Sequence, residues 1–556
     1  MRHDRTRIRW NGWGWRDHTF DLRGRGDALW AYLAEALDVG SLPDTPAAAL
    51  ADVRLPEPAL DHDTLARLAA LTHASRVRTD RRERAFHALG RSYVDLLRLR
   101  RGAPPDAPDA VVYPADAAEV RAVLRLAAER DVAVVPYGGG SSVVGGVEAR
   151  RGAHAGLLTL DTTRMSGLLG LDARSRTATF AAGIHGPDLE AALRPHGLTL
   201  GHFPQSFEFS TLGGWLAARG AGQASNRYGT AADLLVCANV ATPGGELATR
   251  PVPASAAGPD PDAWIAGSEG TLGVITEATV RVRPLPARRT FAAYAFRRFE
   301  AGIEAVRTLV QGGADIATLR LSDPDETFFF GALRRVLSGG GGPSGWVRDA
   351  LRSVGYGRPS VLLAAMEGTW AEVRGAGLRL ASACVARGGV ALGARPGRRW
   401  YASRFETPYL RDPMLDRGLG VETLETAASW TRLPELHAAV REALTGALEA
   451  RGRRGLVLGH VSHAYPDGAS LYYTVVFPRE PEDEVGQWRA LKAAATDAIL
   501  DHGGTVSHHH GVGLEHRPWL RAERGEAAVA MLRAAKAAID PTGILNPDKL
   551  LPDPAG

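Results

Sequence analysis

The chain has 556 residues, 66 Lys+Arg against 62 Asp+Glu, 45% hydrophobic residues and two cysteines, Cys237 and Cys384. At roughly 150 residues per domain that length implies two to four domains with ample core, and the balance of apolar and charged residues excludes wholesale disorder and fibrous classes. Two isolated cysteines make neither a disulfide framework nor a thiolate metal cage, so a reducing compartment, the cytoplasm, is expected. The excess of four positive charges is spread over the whole length, and Lys stands only at 492, 536 and 549. No block of like charges forms, so nucleic acid is not an expected partner. Met1 to Trp15 is basic and broken by Trp10, Trp13 and Trp15, which is not a secretory signal. No run of about 18 uncharged apolar residues occurs, so no spanning helix is expected.

From Asp27 to Leu99 the apolar spacing is helical, as in Thr64 to Leu71 and Glu83 to Leu99, and the region closes in the loop Gly102 to Pro108. Val111 to Pro114 reads as a short strand, Ala117 to Arg130 as an amphipathic helix, and Val132 to Pro136 as a buried strand running into glycines. Short strands follow at Leu157 to Leu160 and Thr177 to Ala181, then a helix at Gly186 to His196 and strands near Leu234 to Thr242 and Thr279 to Arg283. This alternation predicts an α+β or α/β middle domain. Pro284 to Arg289 marks a boundary. A second strand-and-helix region runs to about Thr505, interrupted by the Gly-rich tract Ser338 to Gly345, which reads as a surface loop. The tail ends in a helix over Glu526 to Ile539 and the turn Asp540-Pro541-Thr542-Gly543.

Three loops carry the first chemical signal. Pro136-Tyr137-Gly138-Gly139-Gly140-Ser141-Ser142 follows a buried strand, and consecutive glycines let backbone N–H groups crowd an anion. It is neither the dinucleotide G-x-G-x-x-G nor a P-loop, and taken alone it would be a tight turn. The segment Gly201 to Gly229 adds Ser206, Ser210, Thr211, Gly213 and Gly214, and Gly267 to Thr276 adds a third loop rich in glycine and hydroxyl groups. One large diphosphate cofactor accounts for all three.

His508, His509 and His510 lie in a turn between Gly503-Gly504 and Gly511-Val512-Gly513. Consecutive side chains in extended chain face alternate sides, so at most two imidazoles converge, and no acid or cysteine stands at ligand spacing; a metal site is not expected. A solvated polar loop is as good a reading from the residues alone. Tyr472 and Tyr473 belong to a strand, Leu471 to Phe477, and face opposite ways; both could be ordinary strand aromatics. His202 and His463 read as satisfied structural histidines.

Taken with Trp10-Asn11-Gly12-Trp13-Gly14, Tyr409-Leu410-Arg411-Asp412, the histidine triplet and the closing Asp540 to Leu550, these loops give the chain a resemblance to the FAD-binding enzymes typified by vanillyl-alcohol oxidase and p-cresol methylhydroxylase. Within that family it is most similar to the alkylglycerone-phosphate synthases. The glycine loop and the Glu269 to Thr276 loop are shared by much of the family and specify the cofactor; the triplet and the N-terminal motif are narrower. The resemblance implies an α+β protein: an N-terminal helical region (1–105), a two-part FAD-binding domain of the p-cresol methylhydroxylase type (106–288), an α+β cap domain over the flavin ring (289–505), and a C-terminal segment returning to the FAD domain (506–556).

The same resemblance assigns FAD contacts to Pro136, Tyr137, Gly138, Gly139, Gly140, Ser141, Ser142, Gln205, Ser206, Ser210, Thr211, Ala218, Arg219, Glu269, Gly270, Thr271, Leu272, Gly273, Val274 and Ile275. Relatives with covalent flavin carry a histidine in the glycine loop; this loop has none, so non-covalent FAD is expected. Tyr472 is placed as the catalytic tyrosine, His508, His509 and His510 as essential histidines, Arg411 as a substrate-binding arginine and Arg320 as a second arginine of the site. A guanidinium fork suits phosphate, although in so Arg-rich a chain either could be a surface ion pair. Two departures bear on the substrate: Leu514-Glu515-His516 follows the triplet where basic residues are usual, and Gln205 stands where Asp is usual. The C-terminus, Asp553-Pro554-Ala555-Gly556, carries no peroxisomal signal.

The expected activity is a transfer without net redox, in which an acyl chain on glycerone phosphate is exchanged for a fatty alcohol. An FAD-dependent oxidoreductase acting on a hydroxy acid or related alcohol is the alternative, because arginine and histidine would serve a carboxylate equally well. A non-enzymatic flavin-binding scaffold is disfavoured by the joint presence of triplet, tyrosine and arginine. The expected partner is a small-molecule or lipid substrate, together with peripheral membrane contact and a homodimer.

Overall fold

The computed structural model describes residues 4–339, 353 and 355–553; residues 340–345 of the Gly-rich tract lie outside them. The first sheet is four-stranded, in the order Val77–Arg78, Ala110–Val112, Gly156–Asp161, Val132–Tyr137, and its last three strands are parallel. Parallel strands need covering on both faces, and these are apolar throughout, from Val132 to Val135 and Leu157 to Leu160. The helix Ala117–Glu129, capped by the Asp116 carboxylate, lays Val120, Val123, Leu124 and Ala127 on them. The C-terminal tail completes the edge: Val134 donates to the Ile544 carbonyl at 2.8 Å, Asn546 donates back to Val134 at 2.8 Å, and Ile544 and Leu545 are fully buried.

A second, antiparallel sheet of five strands is ordered Leu168–Asp172, Thr177–Ala181, Val274–Arg281, Leu235–Thr242, Gly245–Ala248. Val274 and Ile275, read above as loop, already belong to its central strand. The third sheet is the largest, seven antiparallel strands ordered Val390–Gly393, Arg288–Phe296, Ser360–Gly368, Thr318–Ser322, Leu456–Ala464, Gly468–Pro478, Leu419–Ser429. Helices Phe299–Gln311, Trp370–Val385, Leu433–Glu449 and Glu484–Asp501 contribute to the core on one of its faces. Strand alternation sends Leu319, Leu321, Val457, Val461, Leu471, Tyr473 and Val475 into that core. The residues between them, Arg320, Leu458, His460, Tyr472 and Thr474, face the opposite way into a cavity.

The N-terminal region departs from the expected run of helix. Glu83 to Leu99 is two helices, Arg81–Phe86 and Tyr93–Arg100, the second opened by a Ser92/Asp95 capping box. The break serves a contact: Arg91 donates its backbone N–H to Ser142 of the glycine loop at 2.7 Å, and a Cβ on Gly90 would fall 2.6 Å from the Ser142 carbonyl oxygen. A continuous helix would hold the chain off that loop.

Candidate active site

A cavity of about 970 Å³ lies between the three sheets. One wall is the glycine loop. Its glycines are required by protein packing: a Cβ on Gly138 would meet Thr211 Oγ1 at 2.3 Å, and one on Gly139 would meet the Phe209 carbonyl oxygen at 1.9 Å. Gly140, at φ +70°, would meet the Tyr137 hydroxyl at 2.0 Å. The loop is thus pressed against residues 209–211, and Arg5 holds it from below through the Gly138 carbonyl and a 2.8 Å ion pair to buried Asp161. Among the described residues, the backbone N–H groups of Gly139, Gly140, Ser141 and Ser142 find no protein acceptor. Four free donors on a loop without side-chain obstruction fit a diphosphate.

Of the cofactor candidates, Pro136, Tyr137, Gly138, Gly139, Gly140, Ser141, Ser142, Gln205, Ser206, Ser210, Thr211, Ala218, Glu269, Gly270, Gly273, Val274 and Ile275 line the cavity. Arg219, Thr271 and Leu272 are not part of its wall. Thr271 is buried and turned to the Ser268 carbonyl, and Arg219 packs beside Gly267.

On the opposite wall Tyr472 stands between two cross-strand neighbours, Glu425 on one side and His460 on the other. Directly opposed residues of antiparallel strands share a face. The His460 ring stacks on Tyr472 at 5.1 Å between centroids. Arg320 donates to His460 Nε2 at 2.8 Å and to Glu326 at 2.9 Å, while His460 Nδ1 lies 2.9 Å from the same Glu326 oxygen. That network fixes His460 as the Nδ1–H tautomer. Arg320 is therefore committed to a protein ion pair. Burial raises the Tyr472 phenol above its ordinary value, against a hydrogen bond from Thr423 and the charges of Arg411 and Arg320.

The histidine loop is suspended between two carboxylates. Glu425 accepts from Ser507 Oγ at 2.8 Å and from the backbone N–H groups of His508, His509 and His510 at 2.7, 3.1 and 2.9 Å. Glu269 accepts from Val512 at 2.6 Å and Gly513 at 2.7 Å. The hydrogen bonds from the loop hold the Glu425 carboxyl well below the ordinary range despite its burial, whereas burial pushes Glu269 up to about 7. No acid stands at ligand spacing beside the triplet in the sequence; the carboxylate that holds it, Glu425, arrives from a strand more than 80 positions earlier. Two imidazoles of the triplet converge, within the expected limit, but they are the consecutive His508 and His509, because the loop turns around that carboxylate and does not run extended. The third imidazole beside them is His463, with ligand atoms of the three within 4.8 Å. His463, stacked on His508 at 5.1 Å and bonded to Ser225 Oγ at 2.6 Å, belongs to the site. His202, by contrast, is not satisfied: it is buried with both ring nitrogens unpartnered among the described residues. His509, His510 and His463 line the cavity; His508 stands behind them.

Arg411 also lines the cavity, 5.9 Å from the Trp13 ring, and its Nε has no partner. Its neighbour Asp412 explains the N-terminal motif. Trp13 donates its N–H to Asp412 at 2.9 Å, Trp15 donates to the Tyr409 hydroxyl at 3.3 Å, and Cβ atoms on Gly12 and Gly14 would strike Asp412 and Tyr409 at 2.3 and 2.4 Å. The two narrow motifs are one packing unit that sets Arg411. Beyond it the cavity becomes apolar, lined by Phe20, Phe329, Leu333, Leu337, Met414, Val421 and Val476.

A glycine-loop domain completed by its own C-terminus, and a large antiparallel sheet roofing the same cavity, define a flavoenzyme. Residues 108–249 match the family model of the FAD binding domain, and residues 285–550 that of FAD linked oxidases, C-terminal domain. The solved structure of p-cresol methylhydroxylase with substrate bound shares the fold at 16% identity, with a TM-score of 0.66 over 88% of this chain and 96% of that one. FAD is the cofactor. More narrowly, the alkyldihydroxyacetonephosphate synthase of Trypanosoma brucei brucei is 33% identical over 90% of this chain and 82% of its own length. A solved alkyldihydroxyacetonephosphate synthase structure superposes with a TM-score of 0.84 at 29% identity, over 98% of this chain and 99% of that one. The chain belongs to the alkyldihydroxyacetonephosphate synthase family. Among the described residues no helix is long and apolar enough to cross a membrane.

Proposed function

We propose that the enzyme exchanges the acyl chain of an acyl-glycerone phosphate for a fatty alcohol, using non-covalent FAD without net redox change. The observation that carries this is the composition of one cavity: Arg411, whose guanidinium Nε has no hydrogen-bond partner among the described residues, next to Tyr472 and the histidines, followed by a wall of apolar side chains. A partly buried guanidinium with an unpartnered Nε is stabilised when an anionic ligand supplies a partner, and a phosphate headgroup with a long chain matches both ends. Bound FAD supplies a ring that can take up and return an electron pair. Arg411 holds the phosphate, His509 and His510 present neutral imidazoles, held below their ordinary values by burial, and Tyr472 handles a proton at the reacting carbon. Glu425 orders the histidine loop, and Arg320 with Glu326 and His460 braces Tyr472. Peripheral membrane contact and a homodimer accompany this reading, checked by vesicle flotation and light scattering.

Anaerobic incubation with an acyl-glycerone phosphate and a long-chain alcohol tests the proposal. The expected result is ether product and free fatty acid in equal amounts, with no oxygen uptake when air is admitted. Two-electron bleaching of the flavin by a hydroxy acid, without ether product, would establish the oxidoreductase instead.

A further inference from the structure

The triplet does more than face the cavity, because one of its members touches a half-buried tyrosine beside an exposed turn. Tyr465 lies at the turn joining strands Leu456–Ala464 and Gly468–Pro478, next to exposed Pro466 and Asp467, and is itself partly exposed. Its hydroxyl is 2.6 Å from His508 Nε2, and His508 Nδ1 is 3.0 Å from His509 Nδ1. His509 opens onto the cavity, and its Nε2 bonds to none of the described residues.

We propose that His509, His508 and Tyr465 form a relay that carries one proton per turnover from the cavity to solvent. It rests on the reading above for the origin of that proton. The exchange breaks the O–H bond of the alcohol and the bond between the substrate carbon and the acyl oxygen, and forms the ether C–O bond. The fatty acid departs as carboxylate with the electron pair of the broken bond, so at neutral pH one proton must be removed.

The direction of the relay follows from donor bookkeeping. An Nδ1 to Nδ1 contact at 3.0 Å requires one ring to donate and the other to accept. Glu425 decides which, because its Oε2 lies 3.4 Å from His509 Nδ1 and can only accept. His509 therefore carries its proton on Nδ1 and keeps a lone pair on Nε2, toward the cavity. His508 accepts at Nδ1, carries its proton on Nε2 and donates to the Tyr465 oxygen, which leaves the Tyr465 O–H to donate onward. Each member thus has its lone pair inward and its proton outward, ready for four short hops: alcohol to His509, His509 to His508, His508 to Tyr465 and Tyr465 to solvent.

The surroundings suit neutral carriers. His463 stacks on His508, and His510 lies 4.5 Å from His509 between ring centroids. Burial holds all four imidazoles below their ordinary value, with Glu425 opposing. Burial and the charges of Asp233, Glu425 and Asp467 raise the Tyr465 phenol, so it passes a proton by taking one as it releases one.

Two measurements on the FAD-loaded enzyme test this. With 15N-labelled histidine, NMR of the wild type is expected to show His508 protonated on Nε2 and His509 on Nδ1; His508 protonated on Nδ1 would overturn the relay. Tyr465→Phe is expected to keep its FAD and its KM, to lose turnover by roughly 100-fold, and to change a curved dependence of rate on solvent deuterium fraction into a straight one. Wild-type turnover with the wild-type curve would also overturn it. Because the NMR arm needs no substrate, it separates failure of the relay from failure of the proposed reaction, which would show as absence of ether product from the wild type.

Discussion

On the side of the glycine loop the cavity wall is main chain: N–H groups of residues 139–142, set by glycines pressed against residues 209–211. Facing it, the wall is made of side chains standing on four strands of one sheet, Arg320, Thr423, His460 and Tyr472. A wall of backbone is changed by any added atom and fails as a unit. A wall of side chains can lose one function and keep its shape, because each strand is held by the core on its other face.

Gly139→Val should give the largest effect. Its Cβ would lie 1.9 Å from the Phe209 carbonyl oxygen and 2.7 Å from Ser210 Cα, so two protein loops must part before any ligand is considered. The purified variant should carry no flavin absorbance, and stoichiometric FAD would break the contrast between the walls. Tyr472→Phe tests the opposite wall: flavin retained, turnover lower by roughly 100-fold or more. Its neighbour is the control. Tyr473 points into the core, 3.2 Å from His437 Nδ1, so Tyr473→Phe should cost about 1 kcal/mol of stability and leave turnover alone. Loss of activity in Tyr473→Phe and not in Tyr472→Phe would put the reacting side of the strand on the wrong face.

This contrast also explains what could be read from the sequence. Main-chain walls announce themselves through glycine, and Gly138 to Ser142 stand in sequence order, as does the Glu269 to Ile275 loop. The alternation of Tyr472 and Tyr473 is equally local. Glu425, His460 and Glu326 could not be found that way, since what joins them to Tyr472 is strand register and a buried ion pair. One signal was present: Leu419–Ser429 carries two carboxylates, Glu422 and Glu425, among apolar and hydroxyl residues of one strand, and both are buried. A buried carboxylate needs donors, and for Glu425 those donors are the histidine loop. The N-terminal Trp-Asn-Gly-Trp-Gly was legible as a motif but not as a partner of Tyr409 to Asp412, because a contact across about 400 residues leaves no local trace.

A smaller effect is expected at Arg411, where the side-chain wall meets the headgroup. Arg411→Lys keeps the charge and loses the fork. Loss of a charge-assisted bond is worth about 1.5 to 3 kcal/mol, which is roughly a 10- to 150-fold rise in KM, with FAD content unchanged. An unaltered KM would remove Arg411 from the substrate and leave it a packing partner of Trp13.

At neutral pH the last difference between the two sides vanishes, and it grows only in acid. His202 sits behind the backbone wall, its ring tilted against Trp215 at 4.7 Å with neither ring nitrogen partnered among the described residues, and burial lowers it to about 3. Behind the side-chain wall His437 is also lowered to about 3, but it has the Tyr473 hydroxyl and, at 3.6 Å, Asp323 to receive a proton. The sign follows from linkage: between about 3 and the unfolded value near 6.5 the unfolded chain binds the extra proton, so stability rises with pH across that window and is lost as pH falls below 6.5. One such group contributes a slope of about 1.4 kcal/mol per pH unit. His202→Phe keeps a ring against Trp215 and cannot be protonated. It should match the wild type at pH 8, retain flavin to lower pH, and show a thermal midpoint that falls less steeply between pH 6.5 and 4. If the two slopes coincide, His202 already has a proton acceptor, and the backbone wall is no more sensitive to acid than the wall it faces.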